Sequence, residues 1–354
     1  MSLTEGTRPP HGVFPNLCMG LGILLLCAAC GCRITAATSH GGADERAPGP
    51  GRAPGRNISF EGPASASNAA PQDAWSYLER QTSFGPRNPG SAGHRKVTEF
   101  LVSELAKSAD DVQVQPFNVV YGGATYSMAN ITALFRSAAS DERPFILLGA
   151  HFDTRPRAER DPMPARRFTP IMGANDGASG VAVLLEIAGV LARTRPPVPV
   201  MIAFFDGEDL GTSMDSMFLG SRHFAGKVDP SHVRYMVLLD MVGDADLDIY
   251  VEGHSQLSSP DLVDRVWSAA ERLGYGHVFH REVRYHILDD HVPFIEKGIP
   301  AIDIIDFDYP YWHTTLDTVD KCSPTSLQIV RDVVLEVILR NETAHPPLHK
   351  PEGF

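Results

Sequence analysis

Beyond residue 32 the sequence holds a single cysteine, Cys322; the other four, Cys18, Cys27, Cys30 and Cys32, crowd the N-terminus. One thiol cannot close an internal disulfide, so the folded part of the chain does not depend on one. Basic charge is also scarce, with 31 Lys and Arg against 43 Asp and Glu and a net charge of −12. That balance excludes the broad basic surface a nucleic-acid partner or an anionic membrane requires. No internal repeat is present. Ser179 lies in "GASG" without a neighbouring base or a nucleophile elbow, which sets a serine-hydrolase reading aside.

What is present begins with "GVFPNLCMGLGILLLCAACGCRITAATS". Its apolar core, Leu17 to Ala29, is short for a membrane span and suits a signal-peptide h-region. It ends in small residues before a cysteine, so residues 1–32 read as a signal peptide of lipoprotein type, with Cys30, or else Cys32, as the lipidated residue. The expectation is export: a periplasmic or outer-membrane-anchored lipoprotein, or a secreted protein, touching a membrane only through the lipid. Residues 33–71 are rich in Gly, Pro, Ala and Ser, lack an apolar period, and read as a disordered tether. A single catalytic domain is expected over 72–345, followed by a tail at 346–354, and a monomer is expected.

Within that domain, apolar runs alternate between helical and strand character. Residues 94–108 and 326–340 carry helical spacing, and 180–194 reads as a mostly buried helix. Residues 143–153, 197–208, 233–244 and 300–308 are compact apolar runs that read as buried strands. The alternation predicts an α/β fold with a mixed, mostly parallel central sheet flanked by helices on both faces.

Each strand run ends in acids or histidine: His151 and Asp153; Glu208 and Asp209; Asp240 and Asp244. Asp176 precedes a helix, "LDDH" supplies Asp289, Asp290 and His291, and "YWHTTLDT" supplies His313. In open α/β sheets the ligand crevice lies at the carboxyl ends of the strands. So many carboxylates converging there would repel unless a cation neutralised them. Mixed imidazole and carboxylate ligands point to zinc or another borderline divalent ion rather than calcium. Asp176 alone could instead cap the helix it precedes. Adjacent side chains in extended backbone diverge, so Glu208 and Asp209 can divide the work, one serving as proton acceptor and donor and the other as ligand.

The segments "HFDTRPRAERDP", "FTPIMGANDGASGVAVLLEIA", "FFDGEDLG", "LLDMVGD", "DDHVPFIEKGIPAIDIID" and "YWHTTLDT" resemble the glutaminyl-peptide cyclotransferases related to zinc aminopeptidases, particularly their bacterial members. The resemblance spans roughly Phe84 to Arg340. It implies a zinc aminopeptidase-like fold acting on peptides or proteins with an N-terminal glutamine, converted to pyroglutamate with loss of ammonia. In the cyclase branch it implies one zinc on Asp176, Asp209 and His313, with Glu208 as acid/base and Asp240 and Asp289 in a hydrogen-bond network around the reacting amide. In the aminopeptidase branch it implies two zinc ions, adding His151 and Asp240 as ligands and Asp153 to orient His151.

Three features favour the cyclase. Asp209 stands where the peptidases usually carry Glu, Asp289 adds an acid beside the shared Asp290-His291 step, and Trp312, Tyr309 and Tyr311 could wall a pocket for one glutamine side chain. Animal cyclases place a tryptophan after the acid pair; Leu210 to Phe218 contain none, leaving Phe218 or Met217 as substitutes. The alternative is an exported di-zinc aminopeptidase, and a third reading is a non-catalytic exported metal-binding lipoprotein. Asn57, Asn130 and Asn341 head triplets matching glycosylation acceptors, and "CSP" at Cys322 reads as a helix start.

Overall fold

A computed structural model describes residues 58–60, 72–138 and 144–340 of the 354-residue chain. The signal-like segment, Cys30, Asn57 and Asn341 lie outside the described residues. Nine strands and eight α-helices are described: β1 (Ile58–Phe60), α1 (Ala74–Thr82), α2 (Ala92–Leu105), β2 (Asp111–Tyr121), β3 (Ala124–Phe135), β4 (Phe145–His151), α3 (Ala178–Arg193), β5 (Val200–Phe205), α4 (Leu219–Ala225), β6 (Val233–Asp240), β7 (Ile249–Glu252), α5 (Gly253–Ser258), α6 (Pro260–Arg272), β8 (Phe279–Tyr285), α7 (Val292–Ile295), β9 (Ala301–Ile305) and α8 (Pro324–Leu339).

The central sheet runs β1-β2-β3-β5-β4-β6-β9. Strands β5, β4, β6 and β9 are mutually parallel, and β3, β2 and β1 extend the sheet antiparallel. The parallel core is the buried, apolar part the sequence predicts. The β2–β3 hairpin is closed by Gly122 and Gly123, both at positive φ (58° and 80°), the backbone a tight two-residue hairpin turn demands. β1 falls within the stretch read as a tether, so the sheet takes its edge strand from upstream of the expected domain start. Asp73 opens the first helix, its side chain accepting Ser76 N–H at 2.9 Å.

Alternation along the parallel strands feeds two cores. Ile146, Leu148 and Ala150, with Ile202, Phe204, Val237 and Leu239, pack into a large core under α1, α2, α3, α6 and α8. Leu147, Ala203, Phe205, Met236 and Leu238 face the other way, into a smaller core with Phe224 of α4 and Phe294 of α7. Period-two side-chain direction thus covers both faces with helices. The chain leaves β4 for α3 on the large-core side and leaves β5 for α4 on the other. Diverging connections from neighbouring parallel strands open a crevice at their carboxyl ends. Among the described residues no helix is long and apolar enough to cross a membrane.

Candidate metal centre and active site

The crevice gathers residues from five strand or loop ends. His151 is the last residue of β4 and Asp240 the last of β6; Glu208 and Asp209 follow β5, Asp176 precedes α3, and His313 lies on the loop after β9. All six are buried, none exposed by more than 8%. Asp176 does not cap α3: Gly177 occupies the cap position at φ 91°, with no side-chain cap bond, and the carboxylate is left free to face the crevice. A Cβ at Gly177 would come within 2.9 Å of the Asp153 carbonyl and the His151 ring, so the turn that aims Asp176 tolerates only glycine.

Two donor groups share Asp176. One joins Asp176, Asp209 and His313; the other joins His151, Asp176 and Asp240, and within each group the potential ligand atoms lie within 4.8 Å of one another. His313 Nε2 stands 3.4 Å from Asp209 Oδ1 and 3.6 Å from Asp176 Oδ2. His151 Nε2 stands 3.2 Å from Asp176 Oδ1 and 3.1 Å from Asp240 Oδ1. Asp176 Oδ2 and Asp209 Oδ2 are buried without a hydrogen-bond partner. Bare buried carboxylate oxygens are costly, and one on each of two carboxylates that both stand within 3.6 Å of an imidazole nitrogen fits a divalent cation. Two carboxylates and one imidazole suit zinc, with a coordination position to spare. A third group, Glu252, His254 and His286, also satisfies the spacing, but both Glu252 oxygens are already taken by backbone and side-chain donors.

Around these ligands the support is carried by residues to which the strand-end pattern gave no role. Asp317 accepts the backbone N–H groups of Asn175 at 2.8 Å and Asp176 at 3.2 Å, and the Tyr309 hydroxyl donates to it at 2.8 Å. Arg87, fully buried, donates to the carbonyls of Phe152, Met172 and Gly173, tying the β4 exit to the loop before α3. Arg155 pairs with Asp209 Oδ1 at 2.7 Å, and Glu159 accepts from His313 Nδ1 at 2.9 Å. Asp317, Arg155 and Glu159 lie within the quoted motifs and Arg87 well upstream of them, but which oxygen meets which amide depends on loops distant in sequence. Asp153 stands beside His151 as expected and has a further task. Its carboxylate accepts the Glu208 and Asp209 backbone N–H groups at 3.1 and 3.2 Å and stands 3.6 Å from His151 Nδ1, so it holds the acid pair while facing the imidazole.

Glu208, Asp240 and Asp289 line a cavity of about 490 Å³ with Asp176, Asp209 and His313. Its walls include Met217, Phe218, Ile287, Leu288, Ile305, Phe307 and Trp312. Trp312 is a wall, with the Arg160 guanidinium 3.9 Å from its ring centroid. Tyr309 and Tyr311 are not. They pack edge-on at 5.5 Å behind the wall, and the Tyr309 hydroxyl is spent on Asp317. Phe307, on the same loop, takes the aromatic position expected of them. Asn130 is fully buried, accepting from Asp206 N–H and donating to the Gly220 carbonyl, which removes it as a glycosylation acceptor. Ser179 donates to the Asn175 carbonyl and accepts Val242 N–H, a purely structural use.

The protonation landscape separates the two paired acids. Burial, with Asp209 adjacent, pushes the Glu208 carboxyl well above its ordinary range. For Asp209 burial works the same way but is outweighed by His313 and Arg155, which hold it well below the carboxylate range. Burial and the Asp209 charge raise Asp176 to about 6. Asp289 is pushed well up by burial and by Asp240 and Asp290. Burial alone would lower His313, yet Asp209 raises it to about 9. Two neighbouring acids driven in opposite directions are the electrostatic signature of a proton carrier beside a ligand. Among the described residues three non-glycine residues adopt positive φ, Phe218 (55°), Met241 (47°) and His313 (55°), and all three line the cavity.

Fold and site together define the zinc aminopeptidase-like class. The chain belongs to peptidase family M28, whose model matches residues 130–338. It is 29% identical over 297 residues to the glutaminyl-peptide cyclotransferase of Drosophila melanogaster, covering 73% of this chain and 79% of that one. Among solved structures it is similar to the Bacteroides thetaiotaomicron glutaminyl cyclase bound to N-acetylhistamine, with 35% identity, a TM-score of 0.71, and coverage of 78% of this chain and 99% of that one. A leucine aminopeptidase precursor from the same organism is as close, at 36% identity, TM-score 0.72 and the same coverages.

Proposed function

We propose that the chain is a zinc-dependent glutaminyl-peptide cyclotransferase, converting the N-terminal glutamine of peptides and proteins to pyroglutamate with release of ammonia. The observation that carries the reading is the placement of Glu208. It is buried, lines an apolar cavity, adjoins Asp209 in the three-ligand group, and shares the cavity with the two further acids Asp240 and Asp289. The similarity to cyclases of animals and bacteria supports it further.

In this reading Asp176, Asp209 and His313 hold the metal, and the glutamine side chain enters between Trp312, Phe307 and Ile305. The chemistry zinc supplies at that position is polarisation of the side-chain amide carbonyl. The substrate's own α-amine attacks the amide carbon. Glu208 accepts the proton the amine gives up and returns it to the departing nitrogen, so one C–N bond forms, another breaks, and ammonia leaves. A carboxyl raised by burial is suited to both transfers, because a proton carrier works best near the ambient pH. Asp289, whose carboxyl burial and Asp240 push up, lines the same cavity and can hydrogen-bond the reacting amide. No protein nucleophile takes part.

The second reading, a di-zinc aminopeptidase, is favoured by the His151, Asp176 and Asp240 group, which offers a second ligand set. There Glu208 would take its proton from the attacking water. A glutaminyl peptide assayed for ammonia, set against leucine anilide assayed for free leucine, separates the two. Ammonia without amino-acid release supports the cyclase; free leucine at a comparable rate sinks it. Metal analysis of the purified protein is expected to give one zinc per chain, and two would favour the peptidase. We also propose export with lipidation at Cys30, to be tested by mass spectrometry of the mature N-terminus; an unmodified Cys30 in the membrane fraction would refute it.

A further inference from the structure

We propose that Glu159, tied in place by Arg155, is a positioning residue that sets the tautomer and aim of His313 at the metal centre. The inference rests on the reading of Asp176, Asp209 and His313 as the zinc ligands. Both residues lie on the loop after β4, four positions apart. Glu159 Oε1 accepts from Arg155 Nε at 2.6 Å and from His313 Nδ1 at 2.9 Å, while Arg155 Nη1 reaches on to Asp209 Oδ1 at 2.7 Å. One ion pair therefore fixes an imidazole from the loop after β9 and a carboxylate from the loop after β5.

The chemical consequence lies in which atoms remain. A carboxylate acceptor at Nδ1 keeps the proton there, so the His313 Nε2 lone pair points toward Asp176 and Asp209. Arg155 occupies Asp209 Oδ1 and leaves Oδ2 bare. His313 is thus left with Nε2, which stands 3.4 Å from the Arg155-bound Oδ1 of Asp209, while Asp209 keeps Oδ2 free as a donor. His313 needs such help: it sits on a loop at φ 55°, with no regular hydrogen-bond ladder to hold its ring. Neither Arg155 nor Glu159 lines the cavity, so neither can act on substrate directly. The Glu159 side chain is 36% exposed and belongs to no apolar core, so its removal opens no core cavity.

The test uses the full-length protein and zinc itself, with affinity read by competition against a chromophoric chelator. Glu159→Ala is expected to weaken zinc binding by about 10–100-fold, the usual effect of removing a ligand's orienting partner. Glu159→Gln keeps a carbonyl acceptor for Nδ1–H and is expected to recover to within about threefold of the parent protein. Both variants should melt with the parent when stripped of metal. An unchanged affinity in Glu159→Ala would overturn the inference, and so would a Gln variant as weak as the Ala variant. A parent protein that takes up no zinc would instead defeat the functional reading itself, an outcome visible before any variant is made.

Discussion

Asp317 accepts the backbone N–H of Asp176 at 3.2 Å, so the ligand's main chain is held by an acid that cannot reach the cavity. The same carboxylate takes Asn175 N–H and the Tyr309 hydroxyl, and is fully buried. Asp317→Asn offers one carbonyl oxygen where two oxygens served, stranding at least one buried donor at a cost of about 1–3 kcal/mol. Chemical denaturation of the metal-free variant should show that loss. Zinc affinity should fall with it, because Asp176 is then free to turn; a variant as stable as the parent would break this link.

Glu208→Gln is expected to lower kcat by about 10²–10⁴-fold, the usual worth of a positioned proton carrier. Zinc content should not change, since Asp209 and not Glu208 belongs to the ligand group. Single-turnover ammonia release and metal analysis on the same preparation check both halves. Retained turnover would remove Glu208 from the mechanism.

Trp312→Ala should raise KM more than it lowers kcat. The ring walls the cavity and stacks under Arg160, but bears no group that could move a proton. Losing a buried aromatic contact of this kind costs about 1–3 kcal/mol of binding, or roughly 5- to 150-fold in KM. Tyr311→Ala, behind the wall, should leave KM nearly unchanged, and an equal effect from both would place the cavity wall wrongly.

Glu252 predicts an acid limit to stability that is independent of the metal centre. Burial would raise its carboxyl, but His291 and the backbone N–H groups of His254 and Ile287 outweigh that and depress it from 4.5 to about 2. A depressed carboxyl contributes stability that is complete above its unfolded value and disappears as pH falls through the folded one. The window therefore runs from about pH 4.5 down to about pH 2, and the contribution is roughly 3 kcal/mol. Denaturation of Glu252→Gln against the parent should show a gap that closes as pH falls through that window.

How much of this was legible in the sequence follows from how local each signal is. Continuous apolar runs such as "FILLGAH" and "VRYMVLLD" announce strands buried on both sides, and their polar last residues mark the crevice. The β2–β3 hairpin went unread although "GG" sits at its turn, because half its side chains face solvent and Pro116 interrupts the run. Helix α6, polar on one face, was likewise missed, as were β7 and β8. At the site the ligand candidates lay at strand ends and could be found by residue type. Tyr309 shows the limit: an aromatic two residues past Phe307 looks equally fit for a wall, and only the loop's path turns one inward and the other onto Asp317. Asp153, Arg155 and Glu159 stood in plain view beside His151. Their partners come from the loops after β5 and β9, which no spacing along the chain discloses.

Among the described residues, the three non-glycine residues at positive φ, Phe218, Met241 and His313, all lie on the cavity wall and place a conformational cost there. Backbone in that region costs on the order of 1–3 kcal/mol per residue, so a search for heat-tolerant variants would be drawn to glycine at these positions. Such variants would gain at the backbone what they forfeit in the cavity, losing a wall at Phe218 or Met241 and a ligand at His313. Robustness in this molecule is better sought on the large-core face, where helices can be improved without touching the rim.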